Sequence, residues 1–125
     1  MAGLERIVGI LVDKYDELKN RKIDLSMFPK EEAQKIYALA AERALQQGNF
    51  DAVSRYLLEG KQWERMLELG VPLFRSEDAA LKEQGQKLLI TLEYQHGKLP
   101  EDVAIELADS ILARMGEHNY EIMIL

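Results

Sequence analysis

The sequence predicts an all-α fold of about six helices, and three observations support that prediction. Apolar residues recur at intervals of three and four, β-branched residues are sparse, and isolated glycines separate the periodic segments. Intervals of three and four place apolar side chains on one side of a helix, whereas a half-buried strand alternates every second residue. We expect the helices to stack as antiparallel hairpins or to form an irregular helical bundle within a single domain of residues 1–125.

The first predicted helix covers residues 3–19. Its apolar residues follow the helical repeat on one side of the segment: Leu4, Ile7, Val8, Leu11, Tyr15 and Leu18. An apolar connector follows, and Pro29 fits the first position of the next helix because the N–H group that proline lacks has no partner there. A core of helical hairpins is expected over residues 30–96.

Glycines and polar residues mark the helix ends within residues 30–96. The first helix of this core is expected to end at Gly48, and Asn49 is expected to cap the second, which ends near Gly60. The third carries Trp63 and is expected to end at Gly70.

Two further signals complete the prediction for this core. Pro72 is expected to enforce the break after Gly70, because proline disrupts a helix interior. Ser76 is expected to cap the fourth helix, which runs to Gly97.

The last predicted segment covers residues 100–125. Its helix carries the apolar face Val103, Leu107, Ile111 and Met115, and a separate apolar tail is expected from Gly116. An apolar chain end is expected to be buried, either in a groove of the same protein or against another subunit, for example as a short strand. Such an end is also expected of a piece of a longer helical stack. The candidate self-association residues are Tyr120, Ile122 and Ile124.

One segment resembles a known repeat. The residues that carry the resemblance are Tyr37, Ala40, Ala41, Gly48, Asn49, Phe50, Ala52 and Tyr56. In this order and spacing they resemble one tetratricopeptide repeat, a helix–turn–helix unit in which small residues let two helices approach closely. The interval from Ala41 to Ala52 is one residue shorter than in that family. The resemblance implies a stack of helical hairpins that presents a surface to a partner protein.

Composition and charge narrow the class of function. The formal net charge is −6, and residues 76–125 contain ten acids against four bases. Nucleic-acid binding requires clustered Lys and Arg, so no nucleic-acid partner is predicted. No apolar run approaches the roughly 18 residues that span a bilayer, and no membrane partner is expected. With no cysteine and no signal-peptide pattern, a cytoplasmic location is predicted.

No catalytic signature stands out, so no enzyme activity and no cofactor are predicted. The four serines lack a nucleophile-elbow pattern, and no glycine-rich phosphate loop is present. Glu93 and His96 have the Glu-x-x-His spacing of di-iron helical bundles, but such sites need two of these motifs and further glutamates. His96 instead fits the end of a helix, where it complements the helix dipole.

We therefore expect a non-catalytic protein–protein interaction module that binds a peptide or helix of a partner. The predicted contact residues are Tyr37, Arg55, Tyr56 and Trp63, because aromatic and arginine side chains dominate binding hot spots. Packing inside the protein is the alternative role for Trp63. Two alternatives for the whole chain remain open: a structural or regulatory homodimer, and a metal-binding helical-bundle enzyme.

Overall fold

The protein is all-helical, as the sequence predicts. The computed structural model describes the backbone of residues 2–97 and 99–124 and the side chains of residues 4–97 and 99–113. Within these ranges the chain forms helices and no strand. The helices are α1 (Ala2–Asp13), α2 (Tyr15–Leu18), α3 (Lys30–Gln46), α4 (Phe50–Glu59), α5 (Trp63–Phe74), α6 (Ala79–His96) and α7 (Glu101–Ile124).

The chain divides into two compact units. Unit 1 comprises Met1–Met66 and unit 2 comprises Leu67–Leu125. The division falls inside α5, between its fourth and fifth residues. The prediction of a single domain over residues 1–125 stays a prediction, and each unit is described by itself below.

Unit 1 is built on the α3–α4 hairpin, against which α1 packs through α3. The interface side of α3 carries the buried alanines Ala40, Ala41 and Ala44, and α4 contributes the buried Ala52. Small side chains allow helix axes to approach closely, and larger residues such as Ile36 fill the remaining space. The tetratricopeptide resemblance falls on this hairpin, and membership in that family stays a prediction.

The turn of this hairpin agrees with the sequence prediction. Gly48 has a φ of 72°, a left-handed conformation that other residues adopt with strain. The side chain of Asn49 accepts a hydrogen bond from the backbone N–H of Ala52 at 3.2 Å, which caps α4. Pro29 lies one position earlier than predicted, because it is the residue before Lys30, where α3 begins.

The first predicted helix is divided in two. Residues 3–19 were expected to be continuous, but α1 ends at Asp13 and α2 begins at Tyr15. Lys14 separates them with φ −107° and ψ 24°, outside the helical region. Tyr15 is nevertheless buried, so the apolar periodicity correctly identified the inward side of the segment.

Unit 2 is held together by an aliphatic core with one aromatic ring. Phe74 from α5, Leu89 from α6, and Val103 and Leu107 from α7 form its buried cluster. The partly buried Leu67, Val71, Leu99 and Ile111 pack against that cluster. Side chains of three helices therefore share one interior.

A close backbone approach joins α5 and α6 in unit 2. A Cβ atom added at Gly85 would overlap the backbone nitrogen of Phe74 and would lie 2.7 Å from the carbonyl oxygen of Gly70. Because both are backbone atoms, the rotation of a side chain cannot relieve the contact. Glycine is thus required at position 85 by the proximity of the α5 backbone.

The predicted break at Gly70 and Pro72 is wrong. Helix α5 continues through both residues to Phe74. Gly70 is buried against α6, where an added Cβ atom would lie 2.9 Å from a methyl carbon of Leu89. The glycine therefore serves helix packing, and the side chain of Phe74 in the core of unit 2 helps to hold the last turn despite the proline.

The start and end of α6 also refine the prediction. Asp78, rather than Ser76, caps this helix, because its carboxylate accepts hydrogen bonds from the backbone N–H groups of Ala80 and Leu81. Ser76 instead accepts a bond from the N–H of Asp78 at 3.1 Å. Gly97 has a φ of 68° and ends the helix as expected.

The predicted separate tail is wrong as well. The backbone of α7 continues through Gly116 to Ile124 as one helix of 24 residues. The side chains of Tyr120, Ile122 and Ile124 lie outside the described residues, so self-association through them stays a prediction.

Candidate functional site

Two of the four predicted contact residues lie in the interior of unit 1. Tyr56 is fully buried and Tyr37 is almost fully buried. The Tyr37 and Tyr56 rings are stacked, with centroids 6.2 Å apart, and Tyr15 meets Tyr56 edge-on at 6.0 Å. The Tyr56 hydroxyl donates a 2.5 Å hydrogen bond to the carbonyl oxygen of Leu11. These rings pack and orient helices, and they are not available on the surface.

The electrostatics of this tyrosine cluster agree with a structural role. Burial raises the pKa of Tyr56 to about 12, and burial likewise raises the pKa of Tyr15 and of Tyr37. The nearby carboxylate of Asp51 adds to the increase in the Tyr15 pKa. A general acid or base works best with a pKa near the working pH, so these phenols are poorly suited to acid–base catalysis at neutral pH.

Arg55 connects α4 to the end of α2. Its guanidinium donates one hydrogen bond to the carbonyl oxygen of Leu18 at 3.0 Å and another to that of Arg21 at 2.5 Å. Carbonyl groups at a helix C-terminus have no partner within the helix, and a cation complements the dipole there. The predicted contact residue Arg55 therefore has a capping role in this structure.

Trp63 is the predicted contact residue at the start of α5, and it is half-buried. It borders a surface hollow of about 260 Å³ whose described lining is one run of five consecutive residues, Lys61 to Arg65. The structure does not bring Trp63 together with Tyr37 and Tyr56 on one exposed face. Partner binding by the four residues stays a prediction.

The Glu-x-x-His pair lies at the end of α6. His96 is the last residue of the helix, and the Glu93 carboxylate accepts a hydrogen bond from the backbone N–H of Leu99 at 3.1 Å. Glu93 thus helps to fold the connection from α6 to α7. Among the described residues, no three or more His, Cys, Asp or Glu side chains form a group that could hold a metal ion.

Each unit has an open groove on its surface. Unit 1 has an open groove of about 330 Å³ between α1 and α3, lined by Glu5, Val8, Leu39, Glu42, Arg43 and Gln46. Unit 2 has one of about 460 Å³, lined by Phe74, Arg75, Lys82, Glu106, Asp109 and Ser110.

The cations of the unit 2 groove already have partners. Lys82 donates to the carbonyl oxygen of Phe74 at 3.1 Å and lies 4.7 Å from the centre of its ring. Arg75 makes two hydrogen bonds to the Glu106 carboxylate, at 3.1 and 3.2 Å. Binding of an anion would have to compete with these contacts.

The exposed apolar side chains point to a different surface. Ile105 is 55% exposed and Leu112 is 49% exposed, and they are seven residues apart on α7. Ala108 is exposed between them at intervals of three and four, so the three residues form one stripe along the helix. We call this stripe, Ile105, Ala108 and Leu112, the outer face of α7.

The apolar periodicity of the sequence did not predict this outer face. It assigned α7 a single apolar side, Val103, Leu107, Ile111 and Met115, of which Val103 and Leu107 are buried. The interval of seven between Ile105 and Leu112 was a signal for a second side. A helix that is apolar on two sides is expected to be covered on both.

No protein-family model matches the chain, and neither a curated protein nor a solved structure matches it. No helix of the described residues is long and apolar enough to cross a membrane. The contacts and exposure of this chain's own residues are therefore the basis for inferring its function.

Proposed function

We propose that the protein is a non-catalytic interaction module that binds a helix or peptide of a partner protein. The observation that carries this proposal is the outer face of α7, where Ile105 and Leu112 are about half exposed on one side of a helix whose other side is buried. Single exposed apolar residues are common on protein surfaces, but an aligned stripe is the pattern by which helices associate.

The burial of the predicted contact residues favours the outer face of α7 as the partner-binding surface. Tyr37 and Tyr56 are buried in unit 1, and Arg55 is hydrogen-bonded to backbone carbonyl oxygens. A partner would have to disrupt these contacts to reach the rings. Ile105 and Leu112 are exposed already, so they can be covered without rearrangement of unit 2.

The test compares two variants that lose similar amounts of exposed apolar surface per residue. Ile105→Ser combined with Leu112→Ser removes the outer face of α7, whereas Ile10→Ser removes a 48% exposed isoleucine from α1 in unit 1. Each tagged protein captures partners from a lysate of the source organism, and any protein lost with the α7 variant is purified and titrated against all three chains.

We expect such a partner to bind the wild type and Ile10→Ser equally and to lose at least about tenfold in affinity for the double α7 variant. If every captured protein binds the double α7 variant as tightly as the wild type, the proposal is wrong. Circular dichroism of each variant, with a thermal melt, establishes that the fold is retained.

The proposal includes a cytoplasmic setting for this binding. The share of charged residues, 30%, is ordinary for a globular protein in aqueous solution and agrees with this setting. Cell fractionation with an antibody against the chain checks the setting, and recovery with the membrane or extracellular fraction would contradict it.

A further inference from the structure

The charges around the outer face of α7 distinguish among partners. Glu101 and Asp102 precede Ile105 by four and three residues, and Asp109 follows it by four. Residues at these intervals are neighbours on a helix surface. All three acids are exposed. Carboxylates therefore lie next to the apolar stripe in the turns of α7 before and after Ile105.

Few cations neutralise these carboxylates within the described part of the chain. Residues 101–113 contain four acids and no base. Asp102 lies 3.9 Å from Arg75, whose stronger contact is the pair of bonds to Glu106. No ion pair of Glu101 or Asp109 is found among the described residues. The border of the stripe is therefore negative.

A second copy of the chain fits this border poorly. If the outer faces of two α7 helices packed on each other in parallel, the acids beside each stripe would meet further acids. Like charges brought together at an interface disfavour the pairing, and charges that flank an apolar seam are known to select helix partners. A cationic partner would instead form ion pairs with the same three carboxylates.

We infer that the outer face of α7 binds a basic amphipathic helix of a partner protein. Apolar side chains of that helix, at intervals of three, four and seven, contact Ile105, Ala108 and Leu112. Its Lys and Arg residues pair with Glu101, Asp102 and Asp109, and the small side chain of Ala108 allows the helix axes to approach closely. This inference rests on the proposed function and adds the chemistry of the partner.

The test uses two synthetic peptides of about 18 residues, which form about five helical turns. Both carry leucines at intervals of three and four. One has Lys and Arg beside the leucines, and the other has Glu at the same positions. Fluorescence anisotropy of the labelled peptides measures their affinity for the full chain and its variants.

We expect the basic peptide to bind the wild type at least about tenfold more tightly than the acidic peptide. Ile105→Ser with Leu112→Ser should lower the affinity for the basic peptide at least about tenfold, and Ile10→Ser should leave that affinity unchanged. Raising the ionic strength from about 0.1 M to about 1 M shortens the screening length from about 10 Å to about 3 Å. It should therefore lower the affinity for the basic peptide more than the affinity for the acidic peptide.

A charge reversal isolates the acidic border from the apolar stripe. Asp109→Lys should lower the affinity for the basic peptide several-fold. It should also reduce the difference in affinity between the basic and the acidic peptide. Glu17→Lys makes the same change in net charge at an exposed position of α2, and it should have little effect. Because both acids are exposed, neither substitution removes core packing.

Three outcomes would overturn the inference. Equal affinity for the two peptides would remove the role of charge, and equal effects of Asp109→Lys and Glu17→Lys would remove the role of this border. If ultracentrifugation shows a dimer that Ile105→Ser with Leu112→Ser converts to a monomer, the occupant is a second copy.

Failure of this inference can be told apart from failure of the proposed function. If a partner captured from the lysate still loses affinity for the Ile105→Ser and Leu112→Ser variant, the first two outcomes leave the proposed function intact. When no such partner exists, the proposed function itself fails.

Discussion

The two units use their large side chains in opposite ways. Unit 1 places the rings of Tyr15, Tyr37 and Tyr56 inside and anchors the last by its hydroxyl group. Unit 2 buries Phe74 among aliphatic side chains, while Tyr94 is almost fully exposed on α6. Unit 1 therefore combines apolar packing with directional hydrogen bonds between its helices.

The two units also differ in how their exposed large apolar residues are arranged. Exposed large apolar residues of unit 1 lie singly on different elements: Ile10 on α1, Met27 in the connector and Leu39 on α3. In unit 2 they occur as pairs with helical spacing, Ile90 with Tyr94 and Ile105 with Leu112. Paired spacing creates a continuous surface on a helix, whereas isolated residues do not. This difference directs the search for a partner to unit 2.

The largest expected effect concerns the close backbone approach in unit 2. Gly85→Ala should lower the free energy of unfolding by about 3 kcal/mol, because the new Cβ overlaps the backbone of Phe74 and the helices must separate. The matched substitution in unit 1 is Gly9→Ala, whose Cβ would lie 3.9 Å from the guanidinium of Arg43. It should stabilise α1 by up to about 1 kcal/mol.

Urea denaturation followed by circular dichroism measures both variants. A loss below about 1 kcal/mol for Gly85→Ala would mean that α5 and α6 separate easily, and the close approach would then contribute little to unit 2.

The next effect is the alkaline sensitivity of unit 1. The Tyr56 phenol has its ordinary pKa of 10.0 when unfolded and about 12 when folded, so the unfolded chain loses its proton first as the pH rises. The stability that depends on this proton is fully present below pH 10 and is lost as the pH rises through about 12. The loss from this group is at most about 1.4 kcal/mol per pH unit.

Tyr56→Phe tests the assignment of that sensitivity. It should cost about 1 kcal/mol at neutral pH, because the Leu11 carbonyl loses its donor, and it should flatten the decline above pH 10. Tyr37→Phe is the control for the lost hydrogen bond at neutral pH, since no hydrogen bond of the Tyr37 hydroxyl is found among the described residues. Because burial also raises the pKa of Tyr37, this variant should flatten the alkaline decline as well. An equally steep decline in Tyr56→Phe would assign the sensitivity to other groups.

A smaller effect is expected at the capping arginine of unit 1. Arg55→Met keeps an apolar stem but removes both bonds to the carbonyl oxygens of Leu18 and Arg21, which should cost about 1 kcal/mol. Arg21→Met is the control, because Arg21 contributes its backbone carbonyl to this contact. Thermal melts of the two variants should differ, and identical melting temperatures would show that the cap contributes nothing measurable.

The smallest effect compares one ion pair from each unit. Arg65 and Glu42 in unit 1 form two bonds at 2.7 and 2.8 Å, whereas Arg75 and Glu106 in unit 2 form two at 3.1 and 3.2 Å and are more exposed. Double-mutant cycles should give about 0.5–1 kcal/mol for the first pair and less than about 0.5 kcal/mol for the second. The reverse order would contradict the view that unit 1 has the stronger directional contacts.

Local signals predicted much of the fold. The left-handed turn at Gly48, the cap at Asn49 and the end of α6 at Gly97 depend on neighbouring backbone groups, and these are visible in the sequence. Gly70 and Pro72 were misassigned because the decisive contacts are tertiary. Gly70 packs against Leu89, which is distant in the chain, so its role cannot be inferred from residues near it.

The candidate site was harder to predict for a similar reason. Aromatic residues occur both in cores and at interfaces, so residue type alone did not reveal that Tyr37 and Tyr56 are buried. The interval of seven between Ile105 and Leu112 is present in the sequence, but the face that begins with Val103 and Leu107 follows the helical repeat more completely and is the buried one. Exposure, which decides between the two sides, is a property of the folded chain.

The hydrogen bond from Tyr56 to the Leu11 carbonyl has a consequence for the order of folding. It joins residues 45 apart in the chain, whereas α3 and α4 are neighbours joined by a short turn. Closing a long loop carries a larger entropic penalty than closing a short one, so we expect the α3–α4 hairpin to form first and α1 to dock late. Tyr56→Phe should then accelerate unfolding while leaving the folding rate unchanged in stopped-flow experiments. A slower folding rate in this variant would place the docking of α1 before the rate-limiting barrier.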